Sequence, residues 1–266
     1  MISTCLKSSK VKKKLNEGKV CFGTMLRILS KPHSVPLCAS QGWDYIILDT
    51  EHNDYNLETI SNVCLVAKYE ELGLYVRPAD KLYHQMAQML DVGVEGLVLP
   101  QVKTFREAEQ IIRSTKYAPI GQRGVSVSNA VTLFRDYDLI EYTKWANDNL
   151  MTIIQIESEE GVENVDELVS VFGVDAVMIG PADLSQDMGI PGQIQHPKVV
   201  DAFHKIIDSC NKHGVAPGIH LQDMEQVEKW INEGMRFITF SYDIQLFKDA
   251  SQSALKKLRS LSRQIS

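Results

Sequence analysis

Short apolar runs alternate along the chain with longer segments in which apolar residues recur every three or four positions. The short runs are rich in Val, Ile, Leu and Tyr, which is typical of buried strands. The longer segments place their apolar side chains on one face of a helix, as in residues 57–67 and 199–210. We predict strands at residues 20–25, 45–49, 74–77, 96–100, 151–157, 176–180, 216–220 and 237–241.

This alternation of strands and helices indicates a parallel sheet that is covered by helices. Eight such units in 266 residues fit an α/β fold, a (β/α)8 TIM barrel formed as a single domain by residues 1–266. Residues 1–19 are expected to be a short N-terminal helical extension. A doubly wound sheet is the alternative, but the chain has neither a GxGxxG after an early strand nor a GxxxxGK[ST] motif.

Composition excludes several functional classes without changing this fold. The formal net charge of −6 argues against a nucleic-acid-binding protein, which usually carries a basic face. No apolar run approaches the ~20 residues of a membrane helix, and the basic N-terminal stretch lacks the apolar core of a signal peptide. The five cysteines are odd in number and show no CxxC spacing, which indicates free thiols and a cytoplasmic location.

Polar side chains concentrate where the predicted strands end, and this is the end at which TIM barrels carry their active sites. These candidates are Asp49, Glu51, His52, Arg77, Gln155, Glu157, Asp183 and His220. Charged groups at the mouth of an apolar barrel need a ligand, a metal or one another.

Two of the acids could form a metal site. Gln155 and Glu157 are two residues apart on one predicted strand, so both side chains point the same way. Asp183 follows the next strand, and its carboxylate could share one hard cation with Glu157, for which oxygen ligands suit Mg²⁺ or Mn²⁺. Capping of the following helices explains both acids equally well from spacing alone.

Arg77 ends an otherwise apolar strand. Its guanidinium could stabilise a developing oxyanion, or it could form a structural ion pair with Asp49, Glu51 or Asp80. None of the predicted strands contains a lysine, which argues against a Schiff-base mechanism.

His52 follows two acids and is able to titrate near neutral pH, as a general base must. Asp49 or Asp91 could fix its tautomer. A purely structural role for this histidine is the alternative.

These residues lie within ordered motifs that resemble the class II, metal-dependent pyruvate aldolases of the HpcH/HpaI family. The resemblance covers about residues 16–258, nearly the whole chain. Each motif is weak alone, but their order and spacing make the set specific. The motifs are WDYIILDTEH, VRP, MLDVG, LVLPQV, KYAPIGQRGV, IIQIESEEGVENVDEL, GVDAVMIGPADLSQDMG and APGI.

The resemblance implies a divalent-metal-dependent aldolase that reversibly cleaves a 4-hydroxy-2-oxo acid into pyruvate and an aldehyde. Glu157 and Asp183 match the residues that bind the cation (Mg²⁺, Mn²⁺ or Co²⁺), and Gln155 matches a residue beside it. The backbone N–H groups of Ala182 and Asp183 match those that hold the pyruvate carboxylate, a role that suits a helix N-terminus.

The resemblance also assigns the proton transfer and the charge stabilisation. Arg77 matches the arginine that meets the pyruvate ketone oxygen, and His52 matches the base. Asp49 and Asp91 match the acids that support this histidine.

The chain departs from the family pattern at Thr50, at residues 126–135 and at His220, where an aliphatic residue is usual. We expect these positions to approach the aldehyde half of the substrate, with His220 contacting it. Another carbon–carbon lyase or condensing enzyme on the same barrel, such as a CoA-ester lyase or a citrate-synthase-like enzyme, is the alternative function. A barrel that only binds or assembles is a further one.

The final helix is predicted to carry an apolar stripe that packs either on its own barrel or on a neighbouring subunit. The resemblance implies a homohexamer in which final helices are exchanged. The stripe consists of Leu246, Phe247, Ala250, Ala254, Leu258 and Leu261.

Overall fold

The computed structural model describes residues 6–262, in which eight parallel strands close into a barrel with β1 paired to β8. Every predicted strand is present, and each boundary lies within one residue of the prediction. The strands are β1 (Cys21–Leu26), β2 (Tyr45–Asp49), β3 (Gly73–Arg77), β4 (Gly96–Leu99), β5 (Met151–Ile156), β6 (Ala176–Ile179), β7 (Ala216–Leu221) and β8 (Phe237–Tyr242).

Helices surround this barrel, as expected for a (β/α)8 fold. They are α1 (Lys10–Asn16), α2 (Ser34–Ser40), α3 (Leu57–Glu70), α4 (Tyr83–Asp91), α5 (Phe105–Thr115), α6 (Leu139–Asn149), α7 (Glu159–Glu163), α8 (Val165–Ser170), α9 (Pro181–Asp187), α10 (Pro197–His213), α11 (Met224–Asn232) and α12 (Asp243–Ser262). Among the helices of residues 6–262, none combines the length and apolar character needed to cross a membrane.

The interior of the barrel is a packed core in which aromatic rings fill the amino-terminal half. Tyr45 stacks on Phe237 with ring centroids 4.3 Å apart, and Tyr75 meets Tyr45 edge-on at 5.6 Å. Val11 and Leu15 of α1 pack into the same cluster and cover this end. The barrel is therefore closed at its amino end, and polar chemistry is confined to the opposite end.

Helix α1 lies within the predicted extension 1–19, whose residues 1–5 are outside the described part of the chain. Four of the cysteines, Cys21, Cys38, Cys64 and Cys210, are buried free thiols, as predicted, and Cys5 lies outside the described residues.

Part of the segment 126–135 lies away from the mouth of the barrel, so the expectation that this segment approaches the substrate is not met within one chain at Ala130 and Val131. The carbonyl oxygens of Ala130 and Val131 accept hydrogen bonds from Lys68 Nζ at 2.8 and 2.7 Å. Lys68 lies in the last turn of α3, and helices of this fold run back towards the amino ends of the strands. Residues 130 and 131 therefore lie near the closed end, where Val131 lines a cavity of about 270 Å³ beside Glu95.

Helix α12 presents its apolar stripe to solvent instead of packing it on its own barrel. Asp243 is buried, but Phe247 and Leu258 are 71% and 61% exposed, and Leu261 is also exposed. A helix face of this kind is typical of a contact with another protein surface.

Candidate active site

An ion pair between adjacent strands occupies the mouth of the barrel. Asp49 and Arg77 are direct neighbours in the register of β2 and β3. Arg77 Nε donates to Asp49 Oδ1 at 2.9 Å, and Arg77 Nη2 lies 2.9 Å from Asp49 Oδ2. Arg77 Nη1 also lies 3.1 Å from Glu51 Oε2. This bidentate pairing fixes the plane of the guanidinium.

Asp49 stays ionised although its side chain is fully buried. Burial by itself would raise the pKa of this carboxyl, but the hydrogen bond and charge of Arg77 and the charge of Arg27 outweigh that effect and hold the pKa below its usual value. Asp49 therefore acts as a permanent negative charge that orients Arg77.

Glu157 and Gln155 form a second polar group on the other side of the mouth. Gln155 Nε2 donates to Glu157 Oε2, and the backbone N–H of Gln101 donates to Glu157 Oε1 at 2.9 Å. Gln101 adopts a left-handed backbone conformation with φ of 53°, which is uncommon for a residue other than glycine. A Cβ atom on Gly180 would lie 2.5 Å from Glu157 Oε2, so the neighbouring strand keeps this position clear.

Burial raises the pKa of Glu157 to about 7, and the negative charges of Asp183 and Glu51 act in the same direction. A positive charge bound next to Glu157 would therefore favour the ionised form of its carboxyl group. Asp183 is exposed in the first turn of α9 and is close enough to influence Glu157 electrostatically.

The donor set fits a hard divalent cation. Glu157 and Asp183 offer carboxylate oxygens, and Gln155 Oε1 is buried without a hydrogen-bond partner. Within residues 6–262, no group of three or more His, Cys, Asp or Glu side chains is arranged to hold a metal ion. A cation here would take its other ligands from water or substrate, which is common for Mg²⁺.

The start of α9 adds backbone donors to this group. Leu184 N–H bonds to the Gly180 carbonyl at 3.0 Å, which leaves the N–H groups of Ala182 and Asp183 without intrahelical partners. These two N–H groups are thus able to bind an anion, and their binding of the pyruvate carboxylate stays a prediction.

His52 lies at the rim of the mouth and is half-exposed, with its Nε2 3.8 Å from Glu51 Oε2. In the part of the chain that is described, no hydrogen bond joins His52 to Asp49 or to Asp91. Asp49 is used by Arg77, and Asp91 Oδ1 accepts from Arg123 Nη2 at 2.6 Å. The support of His52 by either acid thus stays a prediction.

His220 points into the barrel in the same layer as Arg77 and Gln155. Its Nε2 lies 3.2 Å from the Ser241 carbonyl oxygen. Burial lowers the pKa of His220 to about 4, so the ring is neutral near pH 7, with Nε2–H donating to the carbonyl and Nδ1 left as an acceptor. This contact with a backbone carbonyl is compatible with a role towards substrate through Nδ1.

The sequence predictions did not identify Arg27 as part of the site. Arg27 Nε lies 3.2 Å from Asp49 Oδ2, and its guanidinium stacks 4.6 Å from the ring centre of Tyr242. The sequence did contain a signal for Arg27. This arginine directly follows β1, just as Arg77 is the last residue of β3.

Comparisons with known proteins agree with this arrangement. The HpcH/HpaI aldolase/citrate lyase family model matches residues 25–250. The 4-hydroxy-2-oxo-heptane-1,7-dioate aldolase of Shigella sonnei (strain Ss046) is 35% identical over 240 residues, which are 90% of each chain. The enzyme of the same name from Klebsiella pneumoniae subsp. pneumoniae is 34% identical over 90% of this chain and 89% of its own.

Solved structures show the same likeness. The HpcH/HpaI aldolase of Desulfitobacterium hafniense DCB-2 superposes with a TM-score of 0.90 at 34% identity, over 94% of this chain and 96% of that chain. Citrate synthase SbnG superposes with a TM-score of 0.85 at 27% identity, over 95% of this chain and 98% of that one. The resemblance inferred from the motifs is confirmed, and this chain belongs to the HpcH/HpaI aldolase/citrate lyase family.

Proposed function

We propose that this protein is a divalent-metal-dependent pyruvate aldolase that reversibly cleaves a 4-hydroxy-2-oxo acid into pyruvate and an aldehyde. The observation that carries the proposal is the placement of Arg77 opposite Gln155, Glu157 and Asp183 at one barrel mouth. The aldolase names of the relatives support the same reaction.

Glu157 and Asp183 would hold the cation, with Gln155 beside it, and the cation would supply Lewis acidity that polarises the 2-oxo group. Arg77 donates hydrogen bonds to the ketone oxygen as negative charge develops there, because Asp49 and Glu51 hold its guanidinium in place. The N–H groups of Ala182 and Asp183 bind the carboxylate of the 2-oxo acid.

His52 acts as the base. It removes the proton from the 4-hydroxyl group, the C3–C4 bond breaks, and the electron pair moves into the enolate of pyruvate while the aldehyde leaves. Its half-exposed ring can return this proton to solvent. A proton from solvent then adds to the enolate carbon and completes pyruvate. His220 contacts the aldehyde half.

The proposal is tested by a metal-supplemented screen of 4-hydroxy-2-oxo acids for pyruvate release, with a panel of aldehydes for the reverse reaction. We expect release with Mg²⁺, Mn²⁺ or Co²⁺. A citrate-synthase-like condensation is the second candidate, because the chain superposes on citrate synthase SbnG. Product formation from oxaloacetate and an enolate donor, without cleavage of any hydroxy-oxo acid, would favour that candidate.

Arg77→Lys should slow enolisation of pyruvate far more than a conservative exchange normally does. A lysine cannot reproduce the fork that meets Asp49, Glu51 and the ketone oxygen together. Loss of one preorganised oxyanion donor costs about 10²–10³ in rate, and we expect this loss here. Deuterium exchange at the pyruvate methyl group measures it, with Arg113→Lys as a matched control on the exposed side of α5. Exchange close to that of the wild type would show that Arg77 is only structural.

The exposed stripe of α12 supports a homo-oligomer, and the family resemblance favours a hexamer. Phe247→Ser combined with Leu258→Ser removes two apolar contacts from this face, so we expect a lower molar mass by light scattering. Leu57→Ser, at an exposed leucine in the first turn of α3, is the control. An unchanged mass in the double variant would exclude α12 as the interface. The absence of nucleic-acid and membrane partners and a cytoplasmic location remain predictions.

A further inference from the structure

We infer that Arg27 is a specificity-determining residue of this site and that it selects a short acceptor aldehyde carrying a carboxylate on or next to the reacting carbonyl carbon. This inference rests on the proposed aldolase function and names the class of its second substrate.

Arg27 places a second guanidinium beside the one that meets the ketone oxygen. Its Nε lies 3.2 Å from Asp49 Oδ2, and Arg77 Nη2 lies 2.9 Å from the same oxygen. Because both arginines contact one carboxylate oxygen, the positive charge of Arg27 lies within the length of a small substrate from the reacting carbon. A carboxylate on or next to the reacting carbonyl carbon could therefore reach Arg27, and a long aldehyde with a distant carboxylate is not required.

Asp49 forms an ion pair with Arg27 but no hydrogen bond. Its oxygens already accept from Arg77, from Asn53 Nδ2 at 3.1 Å and from the backbone N–H of Glu51 at 3.2 Å. Arg27 Nε is buried without a hydrogen-bond partner. The terminal nitrogens of Arg27 form no hydrogen bond with residues 6–262 either, so donors remain available for a ligand.

The guanidinium is held in a defined orientation and remains accessible. Tyr242 lies against one of its faces at 4.6 Å, and His220 lies beyond Tyr242 with ring centroids 6.3 Å apart. The side chain of Arg27 is 26% exposed, in contrast to 6% for Arg77. An incoming anion can therefore reach Arg27 without displacing the ion pair beneath it.

The backbone that carries Arg27 is fixed by one buried carboxylate. Asp243 accepts from the N–H groups of Arg27, Ile28 and Leu29 at 3.0, 2.9 and 2.8 Å. These three hydrogen bonds hold the backbone in place, so less conformational entropy is lost when a ligand binds the Arg27 guanidinium. A planar fork with free donors matches a carboxylate better than a hydroxyl or an alkyl group.

The test compares glyoxylate with glycolaldehyde, which differ mainly in a carboxylate against a hydroxymethyl group, as acceptors for pyruvate. Arg27→Met keeps the apolar stem and removes the charge. A hydrogen bond to a charged group is worth enough for a roughly 10–100-fold effect. We expect this loss in kcat/KM for glyoxylate, mainly through KM, while glycolaldehyde changes little. The longer pair 4-oxobutanoate and butanal should show a smaller difference.

Two further variants and one further measurement distinguish the possible outcomes. Arg27→Gln repeats the test in case the methionine variant folds poorly, and Arg113→Met is the matched control on α5. Pyruvate methyl deuterium exchange reports the proposed enolate chemistry separately. Because Arg77 alone already forms the bidentate pair with Asp49, we expect Arg27→Met to change this exchange far less than it changes kcat/KM for glyoxylate.

An equal loss with both acceptors and in deuterium exchange would show that Arg27 only supports Asp49 and Arg77, and would overturn the inference. Normal exchange in the wild type without any preference for glyoxylate would also overturn it, while the proposed function would stand. Absence of exchange in the wild type with every cation would overturn both.

Discussion

Removal of divalent cations should abolish turnover, and Mg²⁺, Mn²⁺ or Co²⁺ should restore it. Two carboxylates and an unpartnered amide oxygen converge at Gln155, Glu157 and Asp183, and this oxygen-only set suits hard cations. In the proposed mechanism, removal of the cation would leave Arg77 to stabilise the charge on the ketone oxygen without Lewis-acid help. Pyruvate release after exhaustive dialysis against chelator, followed by titration of each metal, measures the effect.

Cation binding can be followed without turnover. Glu157→Gln and Asp183→Asn should each weaken Mn²⁺ affinity in calorimetry, because each loses a formal charge at the site. Glu159→Gln is a matched control, since Glu159 is an exposed acid near the same strand end that pairs with Lys198. Full activity in excess chelator would show that Glu157 and Asp183 do not serve a metal.

His52→Ala should reduce cleavage of the hydroxy-oxo acid by about 10²–10⁴, the usual contribution of a general base. The side chain lies at the rim, 3.8 Å from Glu51, and does not hold other parts of the mouth together. Pyruvate binding and Mn²⁺ affinity should therefore be retained. The measurement is the kcat of pyruvate release, together with Mn²⁺ calorimetry on the same preparation.

His204→Ala is the control for this experiment, because His204 is a half-exposed histidine on α10 that pairs with Glu233. It should cleave at the rate of the wild type. If His52→Ala also cleaves normally, the proton must leave the 4-hydroxyl by another route, and His52 is not the base.

The barrel was predictable because its strands and helices differ in the local period of apolar residues. Apart from Thr152, β5 is apolar on both sides until Gln155, so its polar end was visible in the sequence. The register of Asp49 with Arg77 follows from the barrel, but the sequence alone left the pair open between structure and chemistry. The structure shows that Asp49 binds Arg77, while its contribution to His52 is still a prediction.

Other features of the site depend on distances that no local pattern reports. Arg27 is a single charged residue after a strand, and its importance emerges only when β1 closes onto β8 and brings Tyr242 beneath it. Ala130 and Val131 lie far from the mouth in one chain because α5 first carries the backbone to the other end of the barrel. The order of residues along the chain therefore predicted where the strands end, but not which side chains contact one another there.

The buried carboxylate of Asp243 also connects two separate parts of the molecule. It opens α12, the helix with the uncovered apolar face, and it holds three consecutive amides of the segment after β1. A mutation that shifts the start of α12 is consequently expected to displace the peptide that carries Arg27 as well. Engineering of quaternary structure in this protein should therefore alter acceptor selectivity as a side effect, unless the β1–α2 segment is redesigned together with the helix.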